Sequence, residues 1–154
     1  MPKARSEKVN LIERIYQSTE LFKECTYAQV KYEFSDEFPI YVKADNERML
    51  QVFNNLVKNA IQAIPKEQQG EVTIRISQTE SSVVVEVHDT GTGIAPELEP
   101  KMFQPNFTTK SSGTGLGLAI VKSIVEEFGG AIWFESKAGE GTSFFVSFPV
   151  YSNN

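Results

Sequence analysis

The stretch from Asp89 to Leu118, DTGTGIAPELEPKMFQPNFTTKSSGTGLGL, most narrows what this chain can fold into. Two glycine clusters, Gly91 with Gly93 and Gly113 with Gly115 and Gly117, bracket a segment that has no regular apolar period. Before the first cluster, Val83 to Asp89 alternates as a half-buried strand does. After the second, Leu116, Ile120, Val121, Ile124, Val125 and Phe128 recur at helical spacing. Strand, glycine turn, irregular segment, glycine turn and helix describe a cleft with a cover.

The rest of the chain supplies walls for that cleft. An amphipathic helix is expected from Val9 through Ile12, Ile15, Tyr16, Thr19, Leu21 and Phe22, with Ser6 and Glu7 as start signals and a stop near Cys25. Val30, Tyr32 and Phe34 alternate with Lys31 and Glu33, and Ile40 to Ala44 forms a second short strand. Asp45 offers an N-cap for a long helix over Asn46 to Ile64, ended by Pro65. Val72, Ile74 and Ile76 make a strand joined through QTESS to Val83–Asp89 as a hairpin. Gly129 and Gly130 stop the helix after the cleft. Two closing strands, Ala131 to Ser136 and Thr142 to Pro149, flank the turn KAGEG. This order predicts one α+β domain, a two-layer α/β sandwich with helices on one sheet face and polar strand residues on the other.

Composition excludes several function classes. The 154 residues suit one domain, and the formal charge of -5 argues against broad electrostatic binding to nucleic acid. Any phosphate site must be local. Cys25 is the single cysteine, so an internal disulfide or a cysteine metal cluster is excluded and a reducing, cytoplasmic setting is expected. No apolar run reaches the roughly 18–20 residues that span a bilayer, so no direct membrane contact is expected.

Chemistry concentrates at three places. Asn55 and Asn59 stack one turn apart on the long helix, with Gln62 a turn beyond. Their carboxamide oxygens suit a hard cation such as Mg2+, or they form a solvated helix margin. Asp89 at a strand end can accept from an exocyclic amine such as that of adenine, or cap a turn, while Gly91 and Gly93 let a flat ring approach the backbone. Gly113, Gly115 and Gly117 open a helix whose free N–H groups favour an anion, with phosphate the natural candidate. Lys110 can add a charge there, or be a loop lysine. Thr108, Thr109, Ser111, Ser112 and Thr114 add hydroxyls. His88, the only histidine, reads as structural. Phe103 and Phe107 read as anchors for the cover.

Four segments in order, NNLVKNA (54–60), DTGTGI (89–94), MFQPNFTTK (102–110) and GTGLGL (113–118), resemble the N box, first glycine box, F box and second glycine box of sensor histidine kinases. The likeness runs from Ser6 to Pro149 and is to the catalytic, ATP-binding domain of the Bergerat fold, shared with gyrase and HSP90. That fold implies a mixed sheet with the helices packed on one face. NAIQAI and FTTK are most similar to the nitrogen-regulation type. The resemblance implies that Asn59 binds Mg2+ with Asn55 near the phosphates, and that Asp89 holds the adenine amino group. It makes 95–112 the ATP lid, Lys110 a γ-phosphate contact, and Gly113, Gly115 and Gly117 the phosphate-side hinge. It adds Ile94, Phe107, Thr109, Thr114 and Leu116 to the nucleotide-binding set.

The implied cofactors are ATP and Mg2+. The implied partners are a histidine-containing dimerisation domain of the same kinase and a downstream response regulator, with the isolated domain a monomer. The phosphoacceptor histidine segment is absent from the sequence, so the chain is not expected to phosphorylate itself. Where the ATPase branches of the superfamily have a glutamate one turn before the magnesium asparagine, this chain has Asn55, and an amide cannot serve as a general base. A nucleotide-dependent binding module, including a relative of the anti-sigma-factor kinases, is the alternative.

Overall fold

The computed structural model describes residues 6–105 and 117–152. Its first element is a strand, β1 (Glu7–Asn10), and not the start of a helix. Helix α1 begins one turn later than the apolar pattern suggests, at Leu11–Glu20, because the Asn10 side chain accepts the Glu13 N–H at 3.1 Å. Val9, which fits the helical period, instead pairs with Val42 in a small antiparallel sheet of β1 and β3 (Tyr41–Ala44). Glu7, read as a start signal, accepts the Asn46 N–H at 3.0 Å.

Asp45 caps α2 (Asn46–Gln62) as its position in the sequence suggests, accepting the Arg48 N–H at 3.1 Å. The helix closes two residues before the expected Ile64, with Ala63 as its C-cap. Between α1 and β3 runs β2 (Ala28–Glu33). The hairpin follows as β4 (Gly70–Gln78) and β5 (Ser82–Asp89), then α3 (Gly117–Glu127), β6 (Ala131–Lys137) and β7 (Gly141–Pro149). Gly129, at φ 81°, ends α3 in the left-handed conformation that the sequence predicts there.

The main sheet has the order β2-β4-β5-β7-β6, with β2 parallel to β4 and every other pair antiparallel. Its inner face carries Val72, Ile74, Val83, Val85, Val87, Phe144, Val146 and Phe148, all buried. On this face α2 packs between α1 and α3, α2 over β4 and β5 and α3 over β6 and β7. Met49, Val52, Phe53, Leu56, Val57, Ala60 and Ile61 form the buried stripe of α2. The expected two-layer arrangement is therefore the observed one.

The outer face is polar, as alternation requires, with one aromatic exception. Arg75 bridges Glu33 at 2.8 Å and Glu86 at 3.3 Å, and its Glu33 hydrogen bond raises its pKa. Ser143 donates to Glu86 at 2.7 Å and meets His88 Nδ1 at 2.8 Å, so His88 sits in a structural hydrogen-bond chain. Trp133 stacks on Phe145 with ring centres 5.4 Å apart. Among the described residues no helix is long and apolar enough to cross a membrane.

The cap on α2 sets a stability test. Asp45→Ala leaves a part-buried N-terminal N–H of the helix without its side-chain acceptor and should cost about 0.5–2 kcal/mol, read as a lower urea midpoint at unchanged slope.

Candidate functional site

Strand alternation carries Asp89 to the inner face behind Val83, Val85 and Val87, where only 1% of it is exposed. A carboxylate so placed needs hydrogen-bond donors. The Gly91 N–H supplies one, 2.9 Å from Asp89 Oδ1, so the turn folds back on the strand that precedes it. Its other side rests on the end of α2, where the Thr92 N–H donates to Ala63 O at 3.2 Å.

The two glycines of this turn are required by packing of backbone on backbone. A Cβ at Gly91 would lie 2.3 Å from Ala63 O. At Gly93, with φ 75°, it would lie 2.1 Å from Lys137 O. The β6–β7 turn closes over the glycine turn through Gly139 N–H to Thr92 O at 2.6 Å and Ile94 N–H to Ser136 Oγ at 2.7 Å. Residues 89–94 are thus held between the end of α2 and the β6–β7 turn.

A second part of the site comes from α2. Asn55 donates through Nδ2 to Gln51 O at 2.8 Å, which leaves Oδ1 as its acceptor. That oxygen is 2.8 Å from where a Cβ on Gly117 would lie, so the asparagine seats against the first residue of α3. Asn59 is half-buried one turn further along. Beside them Asn54 Oδ1 is buried without a hydrogen-bond partner among the described residues. The Asn55 oxygen and the first residue of α3 therefore meet, and the buried carboxylate of Asp89 belongs to a separate part of the site. Such a site can take a donor group at one end and anionic oxygens with a hard cation at the other.

The cover starts as a short 3-10 turn, Pro96–Lys101. Phe103 fastens it to the sheet, its ring 5.7 Å from that of Phe134 and 6.5 Å from that of Phe144, with Lys122 Nζ 5.8 Å above it. Phe107, Thr108, Thr109, Lys110, Ser111, Ser112, Gly113, Thr114, Gly115 and Leu116 lie outside the described residues.

Two hydroxyls escaped the sequence reading. Thr142 is the register partner of Asp89 and is 4% exposed, and Ser136 is the register partner of Thr142. The alternation of Thr142, Phe144, Val146 and Phe148 already marks Thr142 as inward-facing. Its proximity to Asp89 needed the pairing of β5 with β7.

Residues 44–152 match the family described as histidine kinase-, DNA gyrase B- and HSP90-like ATPase. The chain belongs to that family. Its relatives there are sensor histidine kinases, and ATP is the nucleotide of this ATPase domain. The sensor histidine kinase ZraS of Escherichia coli K12 is 43% identical over 122 residues, 79% of this chain and 26% of ZraS. Mycobacterial sensor histidine kinase MprB superposes with a TM-score of 0.83 at 26% identity, over 95% of this chain and 98% of that structure. The nucleotide-free catalytic domain of histidine kinase ThkA gives a TM-score of 0.79 at 36% identity, over 94% of this chain and 95% of that one. ThkA has also been solved in complex with the response regulator TrrA. The chain spans about a quarter of the length of the sensor kinases it matches.

The seat of the glycine turn is testable on its own. Gly93→Ala places a side chain at positive φ and against a carbonyl, so the melting temperature should fall and ATP affinity with it, by calorimetry about tenfold or more. Gly139→Ala, also at positive φ but with open space around its Cβ, should strain the backbone and spare ATP affinity.

Proposed function

We propose that this domain binds Mg-ATP and presents its γ-phosphate to a histidine on a separate dimerisation domain of the parent sensor kinase, which then serves a response regulator. The observations that support this reading are the burial of Asp89 beside the glycine turn and the seating of Asn55 against the first residue of α3. Membership in the ATPase family and likeness to kinase catalytic domains support it. ThkA, as a kinase solved with its response regulator, supports the downstream partner.

In this reading Asp89 accepts from the adenine amino group, with Gly91, Gly93 and Ile94 forming the turn beside the base. Asn59, with Asn55 next to it, would hold Mg2+. Amide oxygens are hard donors that suit Mg2+, which commonly keeps water and phosphate oxygens in the rest of its shell. Bound Mg2+ would neutralise phosphate charge, and the N–H groups that open α3 would favour the same anion. Phe107, Thr109, Lys110, Gly113, Thr114, Gly115, Leu116 and Gly117 complete the nucleotide set, with Lys110 toward the γ-phosphate. The chain works as one domain, with its core over about 6–149, as a monomer in the cytoplasm, and the phosphoacceptor histidine is carried elsewhere in the parent.

Catalysis here is positioning plus electrostatics. Phosphoryl transfer needs its donor held in line and its charge balanced, and the receiving imidazole comes with the partner domain. Asn55, as an amide, activates no water, so the isolated domain should hydrolyse ATP slowly.

Three measurements test this. Mixed with a cognate dimerisation domain and radiolabelled ATP, the domain should label a histidine; labelling of serine, or none from ATP-bound protein, would refute the transfer. Asp89→Asn removes a charged acceptor worth about 1.5–3 kcal/mol, so ATP affinity should drop about 10- to 150-fold by calorimetry. Asn59→Ala should weaken Mg-ATP binding or transfer by about tenfold or more while the circular dichroism spectrum stays unchanged.

A further inference from the structure

One rung of the main sheet breaks the apolar rule of its inner face. Across β5, β7 and β6 it reads Asp89, Thr142 and Ser136, where the neighbouring rung reads Val87, Phe144 and Phe134. Asp89 and Thr142 are buried, and Ser136 is half-buried. Polar groups in such a place need partners, and Ser136 has three within reach. Its Oγ accepts the Ile94 N–H at 2.7 Å, lies 2.8 Å from Thr142 Oγ1, and lies 3.2 Å from Gly141 O.

A serine hydroxyl has one proton and two lone pairs, so the arrangement is saturated. The Ile94 N–H takes one lone pair. If the Ser136 proton goes to Gly141 O, Thr142 donates to the second lone pair. If it goes to Thr142 Oγ1, Thr142 accepts and its own proton points away from Ser136. In either state one side chain links the point where the chain leaves the glycine turn to the polar rung on which Asp89 sits. Among the described residues the two turns also meet through backbone groups: Gly139 N–H to Thr92 O, and the close approaches of Gly93 to Lys137 O and of Gly141 to Asp89 O. Ile94 N–H to Ser136 Oγ is a tie made through a side chain, and a substitution there leaves these backbone contacts in place.

We infer that Ser136 is a positioning residue for the base end of the nucleotide site, holding Ile94 and orienting the Thr142 hydroxyl so that the glycine turn and Asp89 are set before ATP arrives. This rests on the nucleotide reading of the cleft. Ser136 lies at the base end of the cleft, on the rung of Asp89 and away from the Asn55 wall, so its loss acts alike on every nucleotide that carries the same base. A hydroxyl of similar reach restores the link, which makes threonine the conservative replacement on a β-strand.

The experiment compares the 154-residue chain with its Ser136→Ala and Ser136→Thr variants by titration calorimetry with ATP and with ADP, and by amide hydrogen exchange without nucleotide. For Ser136→Ala the dissociation constants for ATP and ADP should rise together by about 5- to 20-fold at unchanged stoichiometry, and Ile94 should lose exchange protection. Ser136→Thr should stay within about threefold of the parent chain and keep Ile94 protected. The inference is overturned if Ser136→Ala binds both nucleotides as the parent chain does, if only ATP binding weakens, or if stoichiometry falls at constant affinity, as simple unfolding would give. Unchanged protection at Ile94 overturns it independently of any nucleotide. Should the parent chain, folded, bind neither ATP nor ADP, the nucleotide reading fails and the inference falls with it, a result distinct from a defect confined to the alanine variant.

Discussion

A carboxylate lies almost wholly buried at the end of β5, and much of the site exists to make that tolerable. Asp89 continues a line of inward-facing valines, where an ionised group without donors would be expelled or neutralised. The Gly91 N–H meets it only because the chain reverses at once after the strand. That reversal presses Gly91 on the last carbonyl of α2 and Gly93 on the carbonyl of Lys137. The turn can therefore exist only where a helix end and a second turn are both in place. The result is a buried acceptor fixed at the end of β5 by the turn that follows it.

The other end is organised by a different contact. Asn55 uses its amide nitrogen on its own helix and aims its oxygen at the start of α3. Gly117 has no side chain to keep the two helices apart, so amide oxygen and helix N-terminus share one edge of the cleft. Phe103 fixes the first part of the cover to Phe134 and Phe144 on the sheet, so its root is tied to the strands that carry the polar rung. The glycine turn and the start of α3 are thus held by one sheet and two helices.

Periodicity in the chain was enough to place most elements. The α2 stripe, its Asp45 cap, the β4–β5 hairpin and the Gly129 stop are local signals, set by residues within a few positions of one another, and the structure keeps them all. The N-terminus departs from its pattern for a reason that is only partly local. Asn10 caps the helix in place of Ser6, and Val9 satisfies a strand facing Val42 as well as it would a helix. Apolar spacing cannot choose between those outcomes, since the choice depends on a partner strand more than thirty residues away in the chain. The end of α2 falls short of Ile64 because the residue before Pro65 is disfavoured in the helical conformation, and the Ala63 carbonyl left at that end accepts from the glycine turn.

The sequence by itself determined the chemical vocabulary: two glycine clusters, a strand-end aspartate, a pair of asparagines one turn apart, and a family likeness that joins them. It also determined that helices would cover one sheet face, because the strand residues alternate and the helix residues do not. Tertiary structure alone decided what the glycines touch, that Thr142 and Ser136 stand in line with Asp89, and that Ile94 is held by a hydroxyl from the far side of the sheet. Those facts depend on strand order and register. Hydrogen bonding between β5, β7 and β6 brings together residues about fifty positions apart, and nothing in the local pattern of any one strand encodes its neighbour.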